Sequence, residues 1–281
     1  MRRSLGGSVD SPVTMQLQAL DHVHFVVPDL QRAKEIYGPF LRGEFVPDYG
    51  GPEMNAWGGW NSSGGDFIQP IELEKSVFGG PPMPRHGLLS VSYRVADIDD
   101  GIGEAQSAGL VVRSRVGSED IGLGKNVVQA QLEPEPVSKL PFELVEHQLP
   151  GEYVPLTETA VHHVELGVSD LEAAVEALTP ILGDEFEPER HDLERGLRSR
   201  LHRRLGLRLT VPRDANDALL PAVWQPGLST IGFHCRALPD AVEVARRAGL
   251  KVLREVETHA GREVDFEAWA GVTLRLVEQP G

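Results

Sequence analysis

The chain has 281 residues, 41% of them hydrophobic and 25% charged, which suits one or two domains with real cores. Its formal charge of −15 argues against nucleic acid and anionic membrane as partners. No run of about 18 apolar residues occurs, so the sequence contains no membrane-spanning helix. The single cysteine, Cys235, excludes an internal disulfide and fits a reducing cytoplasm.

Residues 1–18 carry Arg2 and Arg3 with no apolar segment behind them, so they read as a disordered tail rather than a secretory signal, with Met15 as an alternative start. Leu20 to Val27 follow as a strand in which His22 and His24 alternate with Val23 and Phe25. Pro28-Asp29 ends it, and Asp29 is placed to cap a helix through Tyr37 that closes near Gly38-Pro39. Strand signals then run over Phe45–Tyr49, Trp57–Trp60 and Asp66–Leu73, separated by glycine-rich turns. A Gly/Pro-rich connection (residues 75–86) leads to a strand at Leu88–Val95, a helix capped by Asp97 and a last strand at Phe142–Glu146.

The pattern then restarts. Adding 141 carries His22 onto His163, Asp29 onto Asp170, and Pro39, Leu41, Glu44 and Phe45 onto Pro180, Leu182, Glu185 and Phe186. An offset of 140 carries Ala108-Gly109-Leu110 onto Ala248-Gly249-Leu250. A register held across strands and helices marks a duplication. The expected organisation is a tail (1–18), a first domain (19–148), a linker (149–158) and a second domain (159–281), each domain built from two βαβββ units.

Four tandem βαβββ units, with His at the head of a strand and Ile71-Glu72-Leu73 or Phe142-Glu143-Leu144 at the tail, resemble the vicinal oxygen chelate superfamily. It includes glyoxalase I, methylmalonyl-CoA epimerase, extradiol dioxygenases and bleomycin-resistance proteins. The resemblance covers about residues 19–280. It implies an α+β fold, with four βαβββ units in tandem forming two cupped mixed β-sheet barrels with flanking helices, and a divalent metal inside a barrel. In the first half the resemblance points to His22, Glu72, Ser90 and Glu143 as ligand positions. Ser90 is a departure: metal-binding members usually show Gly-Leu-His-His where this chain has Gly87-Leu88-Leu89-Ser90, and serine is a poor ligand for a divalent ion. The second half reads His163, no acid near Leu209-Thr210, then Thr230 and Arg275. The expected site is therefore His22, Glu72 and Glu143, an oxygen-rich set suited to Mn, Fe, Co, Ni, Zn or Mg.

His24 lies on the same strand face as His22 and is expected to line the substrate pocket, with replacement of the missing ligand as the alternative. Ser90, Trp57, Trp60 and His86 complete the expected pocket. The resemblance implies a metal-dependent lyase or isomerase acting on a small carbonyl or acyl substrate through an enediolate, with Glu143 or Glu72 moving the proton. Alternatives are a metal-free binding protein of the bleomycin-resistance kind and an extradiol-type dioxygenase. The arginine-rich stretch Arg190–Arg208 reads either as a solvated hairpin or as a basic pocket for an anionic substrate. The only partner expected is a small-molecule substrate, with a homodimer left open.

Overall fold

A computed structural model describes residues 14–41, 49–51, 56–58, 68–73, 87–117, 127–147, 161–213, 227–258 and 261–278. The first half runs β1 (Ala19–Val27), α1 (Leu30–Tyr37), β2 (Tyr49–Gly51), β3 (Ala56–Gly58), β4 (Ile68–Leu73), β5 (Gly87–Arg94), α2 (Ile98–Ser107), β6 (Val112–Gly117), β7 (Val127–Leu132) and β8 (Phe142–His147). The second runs β9 (Val161–Gly167), α3 (Leu171–Leu182), β10 (Arg190–Asp192), β11 (Leu197–His202), β12 (Leu207–Pro212), β13 (Gly227–Cys235), α4 (Leu238–Arg247), β14 (Val252–Thr258), β15 (Gly261–Phe266) and β16 (Thr273–Glu278).

Each helix of the repeated phrase begins where the sequence places a capping aspartate. Asp29 accepts from Arg32 N, Asp97 from Asp99 N and Asp100 N, and Asp170 from Ala173 N. The helix α4 lacks such a cap and starts instead on Leu238-Pro239, where proline costs no hydrogen bond.

Both halves form an eight-stranded curled sheet of the same order: β2-β3-β4-β1-β5-β8-β7-β6 and β10-β11-β12-β9-β13-β16-β15-β14. In the first, β1 and β5 pair antiparallel at the centre, with β4 parallel to β1 and β8 parallel to β5. The two βαβββ units thus lie back to back, and the four central strands bring their side chains into one concave row. The second sheet repeats this with β12, β9, β13 and β16.

One apolar core runs through both halves. Tyr37 of α1 stacks on Phe233 with ring centroids 6.3 Å apart and meets Trp269 edge-on at 6.5 Å, while Phe40 lies 5.6 Å from Phe233. Met15 and Leu17 are buried, and Gln18 N donates to Arg94 O at 2.8 Å. Residues 14–18, expected as part of the tail, are therefore packed against the first sheet, because two apolar side chains there reach the core. No helix among the described residues is long and apolar enough to cross a membrane.

Candidate metal centre

The row across the first sheet is set by strand register. His24 faces Gln69 on β4 and Ser90 on β5; His22 faces Ser92 on β5, and Ser92 faces Glu143 on β8. Side chains of one row leave the sheet on one side, so four strands deliver imidazole, amide, hydroxyl and carboxylate groups to one place.

His22, His24 and Glu143 each offer a ligand atom there, all within 4.8 Å of one another. His22 and Glu143 are each only 1% exposed, and His24 lies at the more open side. His22 Nε2 is 3.8 Å and His24 Nδ1 3.4 Å from Glu143 Oε2. That same oxygen accepts from Ser90 Oγ at 3.0 Å and Ser92 Oγ at 2.9 Å. Burial opposes the charge of Glu143, yet the hydrogen bond to His24, the charge of both imidazoles and the Ser92 hydroxyl hold its pKa down to about 2. Glu143 Oε1 is buried with no hydrogen-bond partner among the described residues.

Both imidazoles are held from behind. His22 Nδ1 lies 2.8 Å from Asp21 Oδ1, and Asp21 Oδ2 lies 2.7 Å from His147 Nε2 and 3.5 Å from Arg94 Nε. Asp21 is adjacent to His22, and a register shift between Leu20 and His22 lets both side chains meet. Desolvation raises the Asp21 pKa, but its hydrogen bonds to His147 and His22 outweigh it and leave the carboxyl far below the usual range. His24 Nε2 bonds the Gln69 side-chain oxygen, and its Nδ1 is 3.1 Å from Ser90 Oγ. The set fits a divalent ion: two imidazoles, an anionic carboxylate with a spare buried oxygen, and a carboxylate fixing the far nitrogen of His22.

The expected residues divide. His22 and Glu143 come together, and His24 and Ser90 lie against them. Glu72 lies elsewhere. Its Oε2 accepts from Leu30 N at 2.8 Å at the start of α1, as Glu146 Oε2 accepts from Ile98 N at 2.8 Å at the start of α2. Counting back three residues from these two acids gives Gln69 and Glu143, so Gln69 is the structural counterpart of Glu143. Positions three apart on a strand face opposite sides, which is why the Ile-Glu-Leu phrase misplaced the acid. Trp57 is on β3 with Glu72 as its backbone neighbour, and Trp60 and His86 lie outside the described residues. Asp21, Gln69, Ser92 and His147 escaped the sequence reading. Strand alternation turns Asp21 away from His22, and only the bulge brings it back.

The second sheet fills the same row differently. His163 matches His22, Glu165 matches His24, Arg208 matches Gln69, and Arg275 matches Glu143. Arg275 bonds Glu165 directly and Asp265 Oδ1 at 2.6 Å; Arg208 reaches Glu165 at 2.9 Å, and Arg195 reaches Asp265 at 2.7 Å. A guanidinium thus sits where the first half places its anionic ligand. Gly232 replaces Ser92 because the His163 ring occupies the space: a Cβ there would lie 2.6 Å from Cε1. The arginines of Arg190–Arg208 are tied to acids, among them Arg190 and Arg203 to Glu187, Arg198 to Glu189 and Arg204 to Glu185. They form no open basic pocket.

No protein-family model matches the chain, and no curated protein does. Solved structures do. A triple variant of 4-hydroxymandelate synthase from Streptomyces coelicolor superposes with a TM-score of 0.66 at 14% identity, covering 95% of this chain and 94% of that one. The chain has the tandem vicinal oxygen chelate fold. A variant of homoprotocatechuate 2,3-dioxygenase from Brevibacterium fuscum gives 0.64 at 14% identity, with 95% and 73% covered. The Mn(II)-bound glyoxalase from Novosphingobium aromaticivorans gives 0.59 at 15% identity, with 94% and 83% covered. In this chain, the described residues hold one cluster able to take a metal ion, and it lies in the first half.

Proposed function

We propose that this is a divalent-metal-dependent enzyme of the vicinal oxygen chelate type, working in its first barrel on a small substrate that offers two neighbouring oxygens. The convergence of His22, His24 and Glu143 in a buried row carries this reading. Neighbours in fold that include a Mn(II)-bound glyoxalase and a dioxygenase support it. A bound ion supplies polarisation of the two substrate oxygens. The chain's own residues do the rest. Asp21 orients His22, Ser90 and Ser92 fix Glu143, and Gln69 tethers His24.

The reaction we favour is that of a lyase or isomerase passing through an enediolate. Here His22 and Glu143 hold the ion, and His24, at the open side of the row, moves the proton on the neighbouring carbon. Glu143, held anionic, serves as a ligand rather than as the base. A second reading, extradiol-type oxygenation, is favoured by the donor set, since two imidazoles and one carboxylate suit Fe(II) with open positions. In that reading His24 is a ligand as well.

Metal content of protein purified without chelator or nickel tests both. Near-stoichiometric Mn, Fe, Co, Ni or Zn in the wild type, lost in His22→Ala, is the expected result. A folded wild type that neither carries nor takes up an ion overturns the proposal and favours a metal-free binding protein. His24→Ala separates the reactions. Retained ion with lost turnover of an α-ketoaldehyde–thiol adduct supports the lyase or isomerase; lost ion and lost oxygen uptake with a catechol supports the dioxygenase.

A further inference from the structure

The two halves differ in what stands behind the first-strand histidine. In the first half Asp21 Oδ1 meets His22 Nδ1 at 2.8 Å, while Oδ2 is held by His147 Nε2 at 2.7 Å with Arg94 Nε at 3.5 Å. In the second half the counterpart of Asp21 is His162, whose Nδ1 lies 2.6 Å from His163 Nδ1, and the counterpart of Arg94 is His234, which meets His162 edge-on with centroids 4.4 Å apart. The bulged backbone is common to both halves. The carboxylate occurs only where the histidine faces a ligand cluster, and it is missing where Arg275 fills that place.

We propose that Asp21 is a positioning residue that, anchored by His147 and Arg94, keeps the His22 proton on Nδ1 and so aims the Nε2 lone pair into the cluster. This rests on the metal-centre reading for its purpose but not for its geometry. The carboxylate has two acceptor oxygens and no donor, so an imidazole nitrogen facing it must carry the proton. An asparagine in its place has one acceptor oxygen. His147 and Arg94 both draw that oxygen toward their side, which turns the amide NH2 toward His22 Nδ1. His22 must then accept there and carry its proton on Nε2, where the ion would bind.

Two measurements test this. Nitrogen-15 NMR of the metal-stripped wild type reads the His22 tautomer without any substitution. We expect the Nδ1–H form, changing to Nε2–H in Asp21→Asn. Competition titration with Mn(II) and Zn(II) should show affinity falling by about 10- to 100-fold in Asp21→Asn, the loss usual for an outer-shell partner of a ligating histidine. An Nε2–H tautomer in the wild type overturns the inference, as does an Asp21→Asn protein with unchanged tautomer and unchanged affinity. A wild type that binds neither ion overturns the metal reading instead, and the tautomer experiment still decides the role of Asp21.

Discussion

Glu143 and Arg275 occupy the same place in the two halves of the molecule. Each is the parallel-strand neighbour of the residue facing the first-strand histidine: Ser92 opposite His22 for Glu143, Gly232 opposite His163 for Arg275. One duplication has therefore kept an anion at this position in the first barrel and a cation in the second. In the second barrel, Glu165, Asp265 and Glu263 surround the guanidinium, so its charge is satisfied by protein groups alone.

That arrangement makes Arg275 a structural residue. It is buried, and burial alone would favour its neutral form, but Asp265, Glu165 and Glu263 raise its pKa well above the ordinary arginine value. Arg275→Met should leave Glu165 and Asp265 with buried negative charge and cost about 3–5 kcal/mol, the range for removing one partner of a buried pair. Urea unfolding of the two proteins measures this. Metal content per chain should not change, because the first barrel lies on a separate sheet.

The same barrel sets an acid limit on stability. Desolvation lowers the pKa of His162 to about 3, helped by His234, Arg208 and Arg275, and it takes His163 well below its usual value. Both stay neutral in the fold while the unfolded chain takes up protons below about pH 6.5. Glu165 and Asp265 are held below their usual values by Arg275 and its neighbours despite desolvation, so the unfolded chain again binds more protons below about pH 4. In both windows stability rises with pH. The urea midpoint should be steady above about pH 7, fall gently below 6.5 and fall steeply below 4. A midpoint that rises on acidification from pH 7 to 5 contradicts this.

Glu72 offers a contrast with Glu143. It serves the first turn of α1 through Leu30 N. Glu72→Ala should cost about 1 kcal/mol, as loss of a helix-terminal acceptor usually does, and leave metal content unaltered. Loss of the ion in Glu72→Ala would return this acid to the ligand set.

The sequence alone determined the duplication, the four βαβββ units and the capping aspartates, because these rest on local signals. Alternation marks a strand, an oxygen side chain marks a helix start, and a constant offset marks a repeat. It also singled out His22, Glu143 and Arg275. The tertiary structure decided which residues share a place. The parity of a strand is visible in sequence, but the register between strands is not: the Ile-Glu-Leu phrase points to Glu72 for the ligand row, whereas its strand brings Gln69 there. A bulge reverses parity at one residue, and this is how Asp21 comes to support His22. The clustering of His24 with His22 and Glu143 depended on rows from four strands meeting on one concave face, a relation between segments up to 121 residues apart that no local pattern encodes.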